Sequence, residues 1–201
     1  HEIAAVYTKI DTPKNRGMKL TPSPVKEYAL EQGIPVIQPQ SFRDEAVVET
    51  LRSLRPELIC VVAYGKILPQ SVLDIPKHGC INIHASLLPH LRGAGPIQWS
   101  ILNGEPETGV TAMYLSAGMD EGDMIDRNVV PIEDTDTSVT LTEKLAASGA
   151  ELLSRIVTAI GNGTAKRTPQ DPEKATYAPM LKKEMAPIDW TRSPREISCQ
   201  V

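Results

Sequence analysis

The chain has 201 residues and a formal net charge of −4, and hydrophobic residues make up 41% of it. A chain of this length buries a full core without metal or disulfide support, and no apolar run approaches the roughly 18–20 residues that a membrane span requires. The negative charge argues against nucleic-acid binding over the whole surface but allows a local basic loop. The three cysteines lie far apart without a secretion signal, so we expect free thiols and a cytoplasmic protein.

In the first part of the chain, short apolar runs alternate with segments whose apolar residues recur at helical spacing. Each predicted element is bounded by residues that cap or break regular structure. In chain order these elements are a strand at 3–8, a polar loop at 9–20, a helix that starts at Ser23-Pro24 and ends at Gly33, a strand at 35–38, a helix at 44–54 and a strand at 58–63.

The alternation continues through the second part of the chain. The predicted elements are a strand at 80–83, a helix at 96–102, strands at 110–115 and 124–130, a long helix capped by residues 136–138 and ended at Gly161, and a further helix near Ser193. This order predicts an α/β fold with a Rossmann-like, largely parallel sheet flanked by helices. Proline and charged residues accumulate from Thr164 onward, which predicts a linker there.

Two polar side chains, Asn82 and His84, lie two residues apart in an apolar segment, so on a strand they leave the same face. At the carboxyl end of a parallel strand, that face opens into the usual ligand crevice of an α/β sheet. An amide donor beside an imidazole suits a transition state that gathers negative charge on an oxygen. Taken alone, the pair leaves open a turn-forming asparagine and a structural histidine.

The segment 116–123 combines two glycines with three carboxylates between two predicted strands. This composition predicts a hairpin-like loop. Asp120 and Asp123 are either turn acids or, in a functional reading, one of them is a carboxylate that orients His84 or relays a proton.

Together, the segments Asn-Ile-His-Ala-Ser-Leu-Leu-Pro at 82–89 and Met-Asp-Glu-Gly at 119–122 resemble the folate-dependent formyltransferases. The resemblance implies the formyltransferase fold, 10-formyltetrahydrofolate as co-substrate, no metal, and a catalytic trio of Asn82, His84 and Asp120. No serine or cysteine stands in a recognisable nucleophile elbow, so we expect direct acyl transfer without a covalent enzyme intermediate.

Segments 19–26, 63–69 and 184–190 are similar to the branch of this family that acts on initiator methionyl-tRNA. The likeness implies transfer of the formyl group to the α-amine of that tRNA, for translation initiation, by a monomer without membrane attachment. It implies folate contacts at Tyr64, Gly65, Ile67, Leu68, Ser86, Leu87, Leu88 and Pro89. It implies tRNA contacts at Lys14, Arg16 and Lys19 in the basic loop, where lysine and arginine suit phosphate binding.

The resemblance also implies that the chain is a catalytic domain cut short at both ends. We expect residues 1–163 to form that domain without its first strand and helix, and residues 164–201 to form a linker and the start of a barrel domain. Three alternatives remain: a formyltransferase that acts on a sugar-nucleotide or glycinamide ribonucleotide amine, a formyl-folate hydrolase, and a non-catalytic folate- or tRNA-binding fragment. A nucleotide-binding Rossmann enzyme is disfavoured, because no Gly-x-Gly-x-x-Gly follows a strand.

Overall fold

The computed structural model describes residues 1–14 and 19–201, apart from the side chains of Lys14 and Lys19. The strands are β1 (Val6–Tyr7), β2 (Thr12–Lys14), β3 (Lys19–Thr21), β4 (Val36–Ile37), β5 (Ile59–Val62), β6 (Cys80–His84), β7 (Glu107–Tyr114) and β8 (Met124–Pro131). The helices are α1 (Pro24–Glu31), α2 (Glu45–Ser53), α3 (Gln70–Leu73), α4 (Pro96–Leu102), α5 (Ser138–Gly161) and α6 (Pro194–Gln200), with 3-10 turns at Pro172–Lys174 and Lys183–Met185.

The chain divides into two compact units, residues 1–59 with 63–80 and residues 60–62 with 81–201. In the first unit, β1 pairs in parallel with β4, and β2 pairs with β3 in an antiparallel hairpin inside the predicted polar loop. Pro13 is compatible with this hairpin because proline is tolerated on edge strands. The core of this unit is formed by Phe42, Val48, Leu51 and Val72.

The second unit contains a sheet in the order β5-β6-β7-β8. The pairs β6–β7 and β7–β8 are antiparallel. The connection at 115–123 is too short for the crossover that a parallel pair needs, so β7 and β8 form the predicted hairpin. With helices and strands alternating along the chain, the predicted α/β class is confirmed.

Helix α5 packs against β7 and β8. Its start is fixed by a reciprocal capping box, in which the Thr137 and Thr140 side chains each accept the other residue's backbone N–H. The predicted apolar stripe faces the sheet, since its members are all buried: Leu141, Leu145, Leu152, Ile156 and Ile160. Among the described residues, no helix has the length and apolar character to cross a membrane.

The stretch after Gly163 belongs to the second unit and contains the predicted helix near Ser193, now α6. Its first half is tied to the rest of this unit by backbone hydrogen bonds. Thr168 and Met124 exchange two of them at 2.9 Å, and Ala178 exchanges further bonds with Arg92 and Gly95. Its assignment as a linker stays a prediction.

Candidate active site

Strand β6 carries the two polar side chains that the sequence singles out. Its antiparallel register sets Asn82 opposite Met113 and His84 opposite Thr111 of β7. Because side chains alternate along a strand, Asn82 and His84 leave the same face of the sheet. His84 is 7% exposed, while Asn82 is half-buried, and the Asn82 amide makes no hydrogen bond to any residue that the structure describes.

The two nitrogens of the His84 imidazole have different neighbours. Its Nε2 lies 2.9 Å from the carbonyl oxygen of Leu91. Since a carbonyl can only accept, Nε2 carries a hydrogen and donates it. The other nitrogen, Nδ1, lies 3.6 Å from Oδ2 of Asp120. This leaves Nδ1 as the ring nitrogen that can exchange a proton.

Asp120 lies in the loop between β7 and β8, and its side chain is 17% exposed. Its φ of 52° is in the left-handed region, which aspartate tolerates better than most residues do. Its Oδ2 accepts the backbone N–H of Gly93 at 2.9 Å. The predicted imidazole–carboxylate pair is therefore present, at a separation slightly longer than a hydrogen bond.

The segment after β6 is folded by polar contacts with Thr111 of β7. The Thr111 hydroxyl donates to the carbonyl oxygen of Ser86 at 2.6 Å and accepts the backbone N–H of Leu88 at 3.2 Å. Ser86 donates to the carbonyl oxygen of His90 at 2.5 Å. Ser86 and Leu88 have no exposed surface, so their side chains pack within the protein and support the loop.

Contact of Ser86 and Leu88 with folate stays a prediction. Leu87 and Pro89, their neighbours, keep part of their surface exposed. Contact of these two residues with folate stays a prediction as well.

The other predicted folate-binding segment belongs to the first unit. The Tyr64 ring packs edge-on against Phe42, with centroids 6.1 Å apart, and burial raises the pKa of the Tyr64 phenol. Lys66 donates to the carbonyl oxygens of Pro39 and Gln40 and so anchors the loop. Gly65 has a φ of 68°, Leu68 packs against the core of this unit, and Ile67 is 91% exposed.

The predicted tRNA-binding residues fall on the hairpin of the first unit. The backbones of Lys14 and Lys19 pair with each other across β2 and β3. Their side chains and all of Arg16 lie outside the described residues. Contact of these residues with tRNA therefore stays a prediction.

Sequence reasoning missed two residues beside Asp120. The Gln170 amide nitrogen donates to the carbonyl oxygens of Asp120 and Gly122, both at 2.8 Å. Its Oε1 accepts from Nε and Nη2 of Arg92, at 3.0 and 2.8 Å. No local pattern marks Gln170, whereas the single charge in Arg92-Gly-Ala-Gly-Pro was a signal that could have found Arg92.

The loop that holds Asp120 depends on a glycine at 122. A Cβ added there would lie 1.9 Å from the backbone oxygen of Tyr114, whereas one at Gly118 would meet only the movable Glu121 carboxylate. We expect Gly122→Ala to lower the free energy of unfolding by about 1–3 kcal/mol, as overpacking does. Gly118→Ala, its matched control, should lose less than about half of that. Urea unfolding of both variants tests this, and equal losses would contradict it.

Among the described residues, no group of three or more histidine, cysteine or acidic side chains is arranged to hold a metal ion. The polar groups that meet at the end of β6 are an amide, an imidazole and a carboxylate. They can donate a hydrogen bond to a developing anion and exchange one proton, which are the requirements of acyl transfer to an amine.

Comparison with known proteins shows the family to which the chain belongs. The sequence profile described as "Formyl transferase" matches residues 1–157, and the chain belongs to that family. Two solved structures share its fold: an N-formyltransferase from Helicobacter canadensis, in complex with folinic acid and dTDP-3-aminofucose, and a sugar N-formyltransferase from a Shewanella species. Their TM-scores are 0.72 and 0.69, each at 24% identity, over 96% and 86% of this chain and 66% and 68% of theirs.

The curated relatives are more similar in sequence. The methionyl-tRNA formyltransferases of Acetivibrio thermocellus and Geobacter sulfurreducens are each 50% identical to the chain, over 98% and 100% of it. That of Bacillus subtilis is 49% identical over all of it. The chain spans 63% of the length of each of these three relatives.

Proposed function

We propose that the protein transfers the formyl group of 10-formyltetrahydrofolate to the α-amine of initiator methionyl-tRNA. The observation that carries this proposal is the Asn82 amide, which makes no hydrogen bond to the described residues, on the same strand face as a histidine whose Nδ1 lies 3.6 Å from a carboxylate. The relatives at about 50% identity favour this acceptor over others in the family.

The first step is attack of the neutral amine on the formyl carbon. A new C–N bond forms, and the formyl oxygen takes the negative charge of a tetrahedral intermediate. The Asn82 amide donates a hydrogen bond to that oxygen. Because its donors have no partner among the described residues, the amide can do so without breaking a bond within the protein. Such a preorganised donor acts mainly on the transition state.

The second step is proton transfer between two nitrogens. The attacking nitrogen loses a proton, and N10 of the folate must gain one as its bond to the formyl carbon breaks. Nδ1 of His84 and Oδ2 of Asp120 can hold this proton between them. Nε2 stays bonded to Leu91, so the ring keeps its orientation while the proton moves.

Other parts of the chain are assigned to the two substrates. The loop at 63–69 in the first unit is proposed to contact the folate, since it offers the exposed side chain of Ile67. The same proposal is made separately for Leu87 and Pro89 in the second unit. Lys14, Arg16 and Lys19 are proposed to contact tRNA phosphates, and residues 1–163 to form the catalytic domain. Translation initiation would place the activity in the cytoplasm.

The acceptor is the part of the proposal that a direct assay tests. The full-length protein is incubated with 10-formyltetrahydrofolate and, separately, with initiator methionyl-tRNA, a sugar-nucleotide amine, glycinamide ribonucleotide or no acceptor. We expect N-formyl product only with initiator methionyl-tRNA. Elongator methionyl-tRNA is the control for selectivity and should give none. Transfer to a nucleotide amine instead would contradict the proposal and indicate a formyltransferase with that acceptor. Release of formate without any acceptor would indicate a formyl-folate hydrolase. Folate binding without turnover would exclude an enzyme.

A further inference from the structure

We infer that Gln170, itself oriented by Arg92, is a positioning residue that holds Asp120 at the imidazole of His84. This inference rests on the proposed function, because it assigns a role in the same proton transfer. Gln170 touches neither His84 nor the Asp120 carboxylate through a hydrogen bond. It acts on the backbone from which that carboxylate projects.

The contacts of the Gln170 amide leave one orientation for it. Both N–H groups of Arg92 converge on Oε1, so the NH₂ end must point the other way. There its two hydrogens are both used, one on the carbonyl oxygen of Asp120 and one on that of Gly122. A glutamine is suited to this position because it joins a donor side and an acceptor side in one rigid plane.

The loop segment that Gln170 holds contains an unfavourable backbone conformation. Asp120 has a φ of 52°, a conformation that is costly for a residue with a Cβ and persists where the surroundings enforce it. With the carbonyl groups of Asp120 and Gly122 fixed, the carboxylate accepts the Gly93 N–H at 2.9 Å and lies 3.6 Å from Nδ1 of His84. A shift of about 1 Å at a site of this kind lowers rates strongly.

Gln170 is itself fixed from both sides along the chain. Thr168, two residues before it, exchanges a pair of backbone hydrogen bonds with Met124 at the start of β8. Downstream, Thr176 and Ala178 bond to the backbone of Arg92. The stretch at 168–178 is therefore fixed on both sides of Gln170. Among the described residues, Gln170 is the one member of this stretch that hydrogen-bonds to the acid loop, residues 116–123.

Stability alone does not account for Arg92. Its side chain is buried, with 5% exposure of the residue, and no carboxylate of the described residues lies within ion-pair distance of it. A buried guanidinium without a counter-ion is destabilising compared with an apolar residue of the same size. Orientation of Gln170 is a function that an apolar residue could not perform.

The test uses Gln170→Leu, which keeps the volume and removes both ends of the amide. The matched control is Trp99→Phe. Trp99 on α4 donates to the carbonyl oxygen of Pro179 at 2.7 Å, directly after this stretch, and makes no hydrogen bond to the described residues of the acid loop. We expect Gln170→Leu to lower kcat about 10–100-fold, as loss of two buried hydrogen bonds at a positioned group would. Trp99→Phe should stay within about twofold.

A second readout needs no substrate. Because the Gly93 N–H donates to Asp120 Oδ2, its hydrogen exchange reports whether the carboxylate is in place. We expect exchange of this amide to accelerate about tenfold or more in Gln170→Leu and to stay unchanged in Trp99→Phe. If the wild type formylates nothing but this difference appears, the proposed function fails and the positioning role stands.

A third readout separates positioning from general support. In an Asp120→Asn background, Gln170→Leu should cost less than about twofold further in kcat, since the group that it positions is already gone. Should Gln170→Leu not fold, Gln170→Glu keeps the acceptor for Arg92 but turns an oxygen toward the two carbonyls, and the same losses are expected. Unchanged kcat and Gly93 exchange in the variant that folds, or full additivity with Asp120→Asn, would overturn the inference.

Discussion

Asn82→Ala is expected to lower kcat for formyl transfer about 100–1000-fold, the usual effect of removing one oxyanion donor. The amide is half-buried, lies on the face that carries His84, and has no hydrogen-bond partner among the described residues. Its removal therefore breaks no bond in the ground state, and the loss should fall on kcat rather than on KM. Steady-state kinetics with each substrate varied in turn measures this.

The control for this variant is Asn128→Ala. Asn128 lies on β8 of the same sheet, where its amide donates to the backbone and the hydroxyl of Ser148 on α5. Its loss should lower stability by about 1 kcal/mol and leave kcat within about twofold. A kcat that falls equally in both variants would mean that Asn82 supports the sheet and stabilises no charge.

Asp120→Asn is expected to lower kcat about 100–10,000-fold, the range in which positioned acid–base groups act. The replacement keeps the shape, and its amide oxygen can still accept the Gly93 N–H that now bonds to Oδ2 at 2.9 Å. It cannot hold a proton shared with Nδ1 of His84. Single-turnover transfer isolates this step from substrate binding and product release.

The neighbouring acid in the same loop provides the matched comparison. Asp123 uses its backbone carbonyl to accept the N–H of Tyr114 at 2.9 Å, and its side chain makes no hydrogen bond to the described residues. Asp123→Asn should therefore stay within about twofold of wild type. If Asp123→Asn is the variant that loses activity, the wrong acid has been assigned.

Much of the fold could be predicted because its elements have regular periods. The stripe on α5 recurs at spacings of four or seven residues, and all of its predicted members are buried. Asn82 and His84 follow the two-residue period of a strand, so their shared face was predictable without coordinates. The antiparallel β7–β8 pair follows from the glycine- and acid-rich connection between them.

The remainder depends on contacts that no local pattern encodes. Gln170 meets Asp120 across 50 positions of sequence, from a proline-rich stretch without a strand or an α-helix. Ser86 and Leu88 belong to the motif that identifies the family, yet both are fully buried. Thr111 of the next strand hydrogen-bonds to the backbone of each of them. A recognised motif thus indicates a candidate segment, while tertiary contacts decide which of its side chains are buried. The monomeric state stays a prediction.

The fate of the formyl carbon in a single turnover tests the central claim most directly. With 10-formyltetrahydrofolate labelled at the formyl carbon and enzyme in excess over initiator methionyl-tRNA, we predict that label passes straight into the N-formyl product. No label should stay on the protein at any time, and the rate should fall about 100-fold or more in Asn82→Ala. Label bound covalently to the protein, or an unchanged rate in that variant, would contradict direct transfer through a hydrogen-bonded oxyanion.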